Sequence, residues 1–216
     1  MSFIPRNNIE KGLREVLKSS PQRRFKQSIE LIVVLKDIDL KNPQNRLREV
    51  VFLPHGVGKS LKVCVVADGD MAVKAKDIAD KVITREEIQS LIGDRKASKK
   101  IAEYCDWVLV KVDLMPLVGR SLAPALGPRG KIPIPVPPNA DIVEMVKRYK
   151  SAIILRTKDQ PQAMCKVGSE DMDIDKLVEN IYKVLSTLES KLPNPRQNIS
   201  KIIIKSTMGP PIIAYS

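Results

Sequence analysis

The spacing of apolar residues predicts a helix and a β-hairpin at the start of the chain. The helix can be capped at Asn7 or Asn8 and ends before Pro21. A β-rich run at residues 25–35 and a second strand at residues 47–53 follow, separated by a turn-forming segment around Lys41-Asn42-Pro43. The apolar face of the helix comprises Ile9, Leu13, Val16 and Leu17.

The pattern changes after residue 58. Short continuous apolar runs at residues 63–67, 107–112 and 152–155 are typical of parallel strands that are covered on both faces. Helices are predicted between these runs: from about Met71, from the capping box formed by Thr84 and Glu87, and after Asn139, with Ile142, Val143 and Val146 as the apolar face. Because strand and helix alternate, residues 58–157 are predicted to form a doubly wound, Rossmann-like α/β domain.

Beyond residue 160 the pattern returns to that of the first residues. A strand at residues 163–167 precedes one long amphipathic helix, and two closing strands occupy residues 202–205 and 211–215. The apolar stripe of this helix comprises Leu177, Val178, Ile181, Val184, Leu185 and Leu188. Because the termini of a domain often lie close together, residues 1–57 and 158–216 are expected to form one discontinuous, split α+β sandwich into which the α/β domain is inserted.

Two crossings would join these domains. One falls at Gly56 and Gly58, and the other falls at Thr157 and Lys158. Glycine tolerates the dihedral changes that domain rotation requires, so the two crossings are expected to form a double hinge.

Charge points to a polyanionic partner. The chain carries 37 basic and 25 acidic residues, a net charge of +12, which favours nucleic acid over an anionic metabolite. A solvated basic surface is the alternative. Only 4% of the residues are aromatic, so rows of stacking rings are not expected, and recognition of shape and backbone fits better.

The cysteines and the apolar runs indicate a cytosolic protein without a cofactor. Cys64, Cys105 and Cys165 are scattered and His55 is the single histidine, so neither a zinc site nor a disulfide framework is expected, and the cysteines are interpreted as small buried hydrophobes. No apolar run approaches the roughly 20 residues that span a bilayer. The first residues lack the apolar core of a signal peptide.

Two incomplete motifs invite a nucleotide or metal interpretation. Gly58-Lys59-Ser60 matches the end of a phosphate loop, but Leu53 stands where another glycine is needed, and a strand follows instead of a helix. Asp68-Gly69-Asp70 starts like a calcium loop, but Ala72 and Lys74 stand where oxygen donors are needed. An ordinary turn and helix cap is expected there.

No catalytic constellation is evident in the sequence. There is no G-x-S-x-G, His55 lies in a Pro-His-Gly turn, and the acidic residues are mostly interleaved with lysine or arginine. The protein is therefore not expected to be an enzyme. The alternatives are a nucleotide-dependent enzyme seated in the α/β domain and a general basic protein-interaction module.

Two Gly-Pro segments suit contact with a folded nucleic acid. Leu126-Gly-Pro-Arg-Gly-Lys131 is proline-rich in its continuation, and Arg129 and Lys131 can donate to phosphates as a secondary RNA contact. A structural cross-over that covers the sheet edge is the alternative. Thr207-Met-Gly-Pro210 combines hydroxyls, an apolar thioether and a sharp bend, which can pack against a sugar face. A plain β-turn or bulge is the alternative.

Four stretches of the sequence resemble the signature stretches of one family. They are the two Gly-Pro segments together with Leu53-Pro-His-Gly56 and Phe25-x-x-Ser28-x-Glu30. In order and spacing, over nearly the whole chain, they resemble the ribosomal protein L-one family of the large-subunit lateral stalk, in its archaeal and eukaryotic cytosolic version. Bacterial members carry a histidine at the position of Met164 and a lysine at that of Ser169.

The resemblance implies that the discontinuous domain is the chief RNA-binding unit and that the inserted domain swings about the hinge. The implied partners are structured large-subunit rRNA, the exit-site tRNA, whose release the protein would assist, and the leader of its own mRNA, whose translation it would repress. A monomer is expected outside the ribosome, and cytoplasmic ribosomes are the expected location.

By position, the resemblance assigns the RNA contact to the first strand, a neighbouring strand end and the turn between the closing strands. The implied contact residues are Arg24, Phe25, Lys26, Ser28, Glu30, Lys166, Gly168, Ser206, Thr207, Met208 and Gly209. Because a carboxylate is normally repelled by a polyanion, Glu30 is expected to accept bonds from base or 2′-hydroxyl donors and to help fix Arg24 or Lys26.

Overall fold

Two sheets organise the chain in the computed structural model, which describes residues 4–38, 46–157 and 160–216. The chain divides into two compact units, one formed by Met1–Lys59 with Ser151–Ser216 and the other by Ser60–Lys150. The expected fold class, α+β combined with α/β, is confirmed. The predicted turn around Lys41-Asn42-Pro43 lies outside the described residues.

The elements are numbered in chain order. The helices are α1 (Arg6–Ser19), α2 (Gly69–Ala75), α3 (Arg85–Ser90), α4 (Arg95–Tyr104), α5 (Met115–Ser121), α6 (Ala123–Leu126), α7 (Ile142–Tyr149), α8 (Ile174–Lys191) and α9 (Pro195–Asn198). The strands are β1 (Ser28–Leu35), β2 (Arg48–Phe52), β3 (Val63–Val66), β4 (Lys81–Ile83), β5 (Trp107–Lys111), β6 (Pro133–Val136), β7 (Ala152–Thr157), β8 (Gln162–Ser169), β9 (Ile199–Ser206) and β10 (Ile212–Tyr215).

The first unit, called the six-stranded unit, is an antiparallel sheet in the order β10-β9-β1-β8-β7-β2. Its central strand β1 comes from the N-terminal part of the chain and pairs with β8 and β9 from the C-terminal part. Alternate residues of β1 are buried. Helix α1 packs on β9 and β10, and α8 packs on β8 and β2. The predicted apolar stripe of α8 is fully buried in this layer, and truncating one of its leucines to alanine would cost about 2–5 kcal/mol.

Three predictions for this unit were wrong in detail. The strand at residues 152–155, predicted for the α/β domain, is part of β7, which pairs with β2 and β8 in the antiparallel sheet. A short buried run does not reveal the direction of its partners, and this ambiguity caused the error. Helix α1 begins at Arg6 without a side-chain cap from Asn7 or Asn8. Phe25 lies in a bend before β1, which begins only at Ser28.

The second unit, called the α/β unit, is built on a four-stranded parallel sheet in the order β4-β3-β5-β6. Every residue of the central strand β3 is buried, as expected for a parallel strand covered on both faces. One hydrophobic core joins this sheet to helices α3 to α6. Outside that core, the rings of Trp107 and Tyr149 pack edge to face with centroids 5.1 Å apart. The predicted capping box of Thr84 and Glu87 is present at α3.

Strand β6 is formed by the proline-rich segment, which had been predicted as a loop or cross-over. Pro133 and Pro135 lie opposite Val108 and Val110 on β5. Proline lacks an amide hydrogen and is tolerated in strands only at an edge, and β6 is the edge strand of this sheet. Residues 133–136 of the segment are therefore part of the sheet.

The expectation that no disulfide forms was wrong. Cys64 on β3 and Cys105 at the end of α4 are joined by a disulfide, with their Cα atoms 5.7 Å apart. Both cysteines are buried, as expected. The two cysteines are 41 positions apart in sequence, so no local signal indicated the pairing. Cys165 is a free thiol, and burial raises the pKa of this thiol to about 12.

Candidate nucleic-acid interface

The start of β1 and the ends of its neighbours β8 and β9 lie side by side at one end of the strands of the six-stranded sheet. Ser28 lies opposite Ser169 on β8, and Ile29 lies between Gly168 and Ser206. We call this region the strand-end surface. It comprises Arg24, Phe25, Lys26, Ser28, Glu30, Lys166, Lys205, Thr207 and Met208. Strands from the two distant parts of the chain therefore bring most of the sequence-assigned contact residues together.

Thr207 fastens the closing turn to β1. Its amide donates to the carbonyl of Ser28 at 3.0 Å. Its hydroxyl donates to the same carbonyl at 3.3 Å and accepts from the amide of Ser28 at 3.2 Å. The hydroxyl thus continues the strand pairing after β9 has ended, and the turn is held in one conformation. We call this pair of residues the Thr207–Ser28 clasp.

The turn presents Met208 to solvent. The Met208 amide donates to Oε1 of buried Gln27 at 3.0 Å, while 54% of the Met208 residue surface remains exposed. A Cβ at Gly209 would overlap the hydroxyl of Ser206. That hydroxyl is itself buried and bonded to Ser20 Oγ at 2.6 Å. Close packing behind the turn therefore requires glycine at this position.

Burial separates two of the assigned contact residues from the others. Ser206 is fully buried, and its hydroxyl faces the packing behind the turn. Gly168 is also buried, and a Cβ there would overlap Leu177 of α8. Both residues shape the strand-end surface from beneath it.

Lys26 is paired with a carboxylate that the sequence interpretation missed. Its ammonium lies 2.6 Å from Asp171. Of Arg24 and Lys26, the two cations that Glu30 was expected to help fix, Lys26 is held by this other carboxylate. Hydrogen bonds from Lys26 and then Ser169 lower the pKa of Asp171 to about 2. The same pair raises the pKa of Lys26. Arg24 and Phe25 are exposed beside this ion pair.

Glu30 occupies the middle of a charged row. It lies opposite Lys166 on β8 and opposite Lys205 on β9, and opposite charges on neighbouring strands stabilise an antiparallel pair. Lys205 also donates to the carbonyl of Thr207 at 3.3 Å. Lys205 was missed by the sequence interpretation, although its alternation with buried Ile204 and Ser206 indicates an outward side chain.

An open cleft of about 540 Å³ adjoins this row on the outer face of the sheet. Ile32 forms its floor between Met164 on β8 and Ile203 on β9. Charged and amide side chains surround the apolar floor. Besides Ile32, the lining comprises Glu30, Arg156, Gln160, Gln162, Met164, Cys165 and Lys166. The cleft extends the strand-end surface with a mixed polar and apolar wall.

The two glycines predicted for the hinge belong to the six-stranded unit. Gly56 and Gly58 adopt left-handed backbone conformations, with φ of 62° and 73°, which favour glycine. A Cβ at Gly58 would overlap the hydroxyl of Ser169. The division between the units falls after Lys59, so Gly58 lies next to it and Gly56 lies three residues before it.

The second crossing also differs from the expected position. Thr157 is the last residue of β7, and its hydroxyl accepts a hydrogen bond from the amide of Leu47 at 3.0 Å. The division between the units falls after Lys150. Thr157 is therefore a sheet residue, and Lys158 lies outside the described residues.

Asn180 anchors the turn that contains these glycines. This fully buried residue of α8 accepts from the amide of His55 at 3.2 Å. It donates to the carbonyls of Gly56 and Val167, both at 2.8 Å. Sequence reasoning missed Asn180, although an amide among the apolar residues of α8 is a signal of such a role.

Arg129 and Lys131 form hydrogen bonds and an ion pair within the α/β unit. The Lys131 ammonium donates to the carbonyls of Ala102 and Cys105 at the end of α4, at 2.9 and 2.7 Å, and burial lowers its pKa. Arg129 donates to the carbonyl of Ala125 at 3.1 Å and pairs with Glu103. These contacts favour the structural interpretation of the segment over a secondary RNA contact.

Asp68 does not act as the expected helix cap. It occupies the N-cap position of α2 without a capping hydrogen bond and pairs with Lys111 at 2.6 Å and Arg85 at 3.2 Å. The hydrogen bond from Lys111 is the largest cause of its lowered pKa. The carboxyl ends of β3 and β5, where α/β folds hold nucleotides, are thus joined by an ion pair.

The chain is similar to proteins of one known family. Residues 16–210 match the model of the Ribosomal protein L1p/L10e family. The large ribosomal subunit protein uL1 of Hyperthermus butylicus is 68% identical, covering 98% of this chain and 98% of that protein. The uL1 of Staphylothermus marinus is 56% identical with the same coverage, and that of Archaeoglobus fulgidus is 42% identical over 97% of this chain and 98% of its own. Among the described helices, none is both long and apolar enough to cross a membrane.

Proposed function

Because the chain belongs to the Ribosomal protein L1p/L10e family, we propose that it is a structural, non-enzymatic constituent of the large ribosomal subunit that binds structured rRNA through the strand-end surface. Two relatives named large ribosomal subunit protein uL1 match this chain over 98% of their own length. The net charge of +12 attracts a polyanionic partner, and this attraction weakens as the salt concentration rises.

The Thr207–Ser28 clasp is the observation that carries this proposal. It holds the turn in one conformation, so the surface loses little conformational entropy when it binds. The exposed thioether of Met208 offers an apolar contact to a sugar face, and the hydroxyl of Ser28 can bond a ribose 2′-hydroxyl. Such a rigid surface selects an RNA by its folded shape.

Glu30 and the lysines beside it have complementary roles in the proposal. Lys166 and Lys205 attract phosphates, and Glu30 between them accepts hydrogen bonds from base or 2′-hydroxyl donors. A carboxylate in this position reduces the attraction for any polyanion that lacks a donor at the right place. Glu30 therefore contributes specificity, and the lysines contribute affinity.

The wider role proposed for the protein covers tRNA release, translational control and movement about a hinge. In the ribosome it would assist release of the exit-site tRNA, and outside the ribosome it would act as a cytoplasmic monomer that represses translation from its own mRNA leader. The division between the units, after Lys59 and after Lys150, is the proposed hinge, and Gly58 lies beside the first of these positions.

Thr207→Val tests the proposal directly. Valine keeps the shape of threonine but removes both hydroxyl hydrogen bonds to Ser28. We expect the Kd for a folded large-subunit rRNA segment to rise about tenfold, which corresponds to about 1.4 kcal/mol. Thr187→Val is the matched control, because that hydroxyl donates to Lys183 O on α8, away from the surface. Equal affinity of the two variants in a filter-binding assay would remove the clasp from the site.

A second comparison separates this proposal from a general basic surface. The folded rRNA segment should bind more tightly than a random-sequence RNA of equal length, and Thr207→Val should reduce that preference. A basic interaction module would bind the two RNAs equally, and the variant would leave their ratio unchanged.

A further inference from the structure

A second pocket, of about 450 Å³, opens on the helical layer of the α/β unit. It lies between the turn that joins α3 to α4 and the adjoining ends of α5 and α6. Leu91 and Pro124 contribute apolar walls, and α4 contributes Arg95, Ser98 and Lys99. None of these residues belongs to the strand-end surface or to the ion pairs at the strand ends.

The pocket is cationic. Arg95, Lys99 and Arg120 line it and are exposed, and none of the three forms an ion pair with any residue of the described ranges. The carboxylate of Asp94, which also lines the pocket, already accepts hydrogen bonds from the amides of Lys96 and Ala97 at 2.9 and 3.0 Å. Three cations against one carboxylate leave an excess of positive charge that suits an anion.

Ser98 supplies a second and independent indication of a ligand. It is only 3% exposed, and its hydroxyl has no hydrogen-bond partner in the part of the chain that the structure describes. Ser121, which lines the same pocket, instead donates to Leu117 O at 2.9 Å. A buried hydroxyl without a partner is uncommon in folded proteins and requires an explanation. A ligand that accepts a hydrogen bond from Ser98 would provide one.

We infer that this pocket binds a phosphate group. Ser98 donates to a phosphate oxygen, while the cations of Lys99, Arg95 and Arg120 neutralise its charge. The apolar wall formed by Leu91 and Pro124 accommodates the sugar to which the phosphate is attached. The phosphate can belong to an RNA backbone or to a free nucleotide, and the inference is independent of RNA binding by the six-stranded unit.

The inference is tested by NMR titration of the full chain with three probes: inorganic phosphate, AMP and a short single-stranded RNA. At least one probe should shift the amide signals of Ser98 and Lys99. The double variant Lys99→Gln/Arg120→Gln should weaken that binding about tenfold or more. Lys147→Gln, at an exposed position of α7 outside the pocket, should leave it unchanged. Saturation by AMP points to a nucleotide, whereas a response to RNA alone points to a backbone phosphate.

Ser98→Ala distinguishes a binding hydroxyl from a structural one. Because the hydroxyl has no partner, its removal should not lower the Tm, but it should weaken binding of the responding probe about threefold or more. The inference is overturned if no probe shifts these signals, or if the double variant binds the responding probe as tightly as Lys147→Gln does. Thr207→Val should leave this binding unchanged, so failure of either proposal can be recognised separately.

Discussion

Asn180 on α8 donates a hydrogen bond to the carbonyl of Gly56 at 2.8 Å and thereby ties the helix to the turn after β2. The same side chain also accepts a hydrogen bond from the amide of His55 and donates one to the carbonyl of Val167. A single buried amide thus satisfies three backbone groups from two segments. Asn180 therefore contributes to holding the turn, together with the contact between His55 and Glu179 at 2.6 Å.

Asn180→Leu should destabilise the protein. Leucine has a similar size but leaves three backbone groups without their partner, so we expect the free energy of unfolding to fall by about 3 kcal/mol or more. Urea unfolding followed by circular dichroism measures the change. Asn8→Leu, on an exposed position of α1, is the control and should change stability by less than about 0.5 kcal/mol. Similar effects of the two substitutions would contradict this role of Asn180.

Gly209→Ala should destabilise the closing turn by about 1–3 kcal/mol, because the new methyl group overlaps the Ser206 hydroxyl. The double variant Ser206→Ala/Gly209→Ala removes that oxygen and should recover part of both stability and RNA affinity. Thermal unfolding and filter binding provide the two measurements. No recovery in the double variant would mean that the close approach to Ser206 is not the reason for the glycine.

Reduction of the Cys64–Cys105 disulfide should lower the Tm of the α/β unit. In the chain-entropy treatment, a crosslink between residues 41 apart stabilises the fold by about 4 kcal/mol. Thermal scans with and without dithiothreitol should therefore differ for the parent protein and for Cys165→Ala. They should coincide for Cys64→Ala/Cys105→Ala. A parent protein insensitive to the reductant would contradict the prediction.

The Lys26–Asp171 pair should make stability depend on pH in the acid range. The pKa of Asp171 is lowered from 3.8 to about 2 in the folded protein, so the pair stabilises the fold above pH 3.8, and this contribution is lost as the pH falls through about 2. The difference in urea midpoint between the parent and Asp171→Asn should therefore be constant above pH 3.8 and narrow towards pH 2. Lys26→Met should show the same trend with a smaller change, because Ser169 still donates to Asp171, and the double variant should lose no more stability than Asp171→Asn alone. If the difference in urea midpoint between the parent and Asp171→Asn did not vary with pH, the stabilising role of the ion pair would be contradicted.

The salt dependence of RNA affinity should distinguish the contribution of the charged side chains from that of the Thr207–Ser28 clasp. For the folded rRNA segment, the logarithm of the affinity should fall linearly with the logarithm of the salt concentration. Lys166→Gln should reduce the slope by about 1, whereas Thr207→Val should lower affinity at every salt concentration without changing the slope. Identical slopes for the parent and Lys166→Gln would remove this lysine from phosphate contact.

The sequence was sufficient where local rules determine the structure. The stripe of α8 and the capping box of Thr84 and Glu87 involve residues within a few turns of each other, so periodicity and spacing predict them. The grouping of β1 with the closing strands followed from the order of elements along the chain. Most of the strand-end surface could be assigned because its residues form recognisable short motifs.

The errors occurred where distant segments decide the outcome. Whether residues 152–157 join a parallel or an antiparallel sheet depends on β2 and β8, which no local pattern identifies. Cys64 and Cys105 meet only because α4 ends beside β3. Lys131 looks like a free cation in the sequence, but the carbonyls that it binds belong to α4. Asp171 joined the candidate site for the same reason, through a lysine far away in sequence.

The central place of β1 imposes an order on folding during synthesis. Both of its neighbours, β8 and β9, leave the ribosome more than a hundred residues after it, whereas the α/β unit is a single continuous segment that can fold first. The apolar strand β1 therefore remains unpaired until β8 has been synthesised. Substitutions that increase its tendency to aggregate should reduce the yield of newly made protein even where the stability of the finished fold is unchanged.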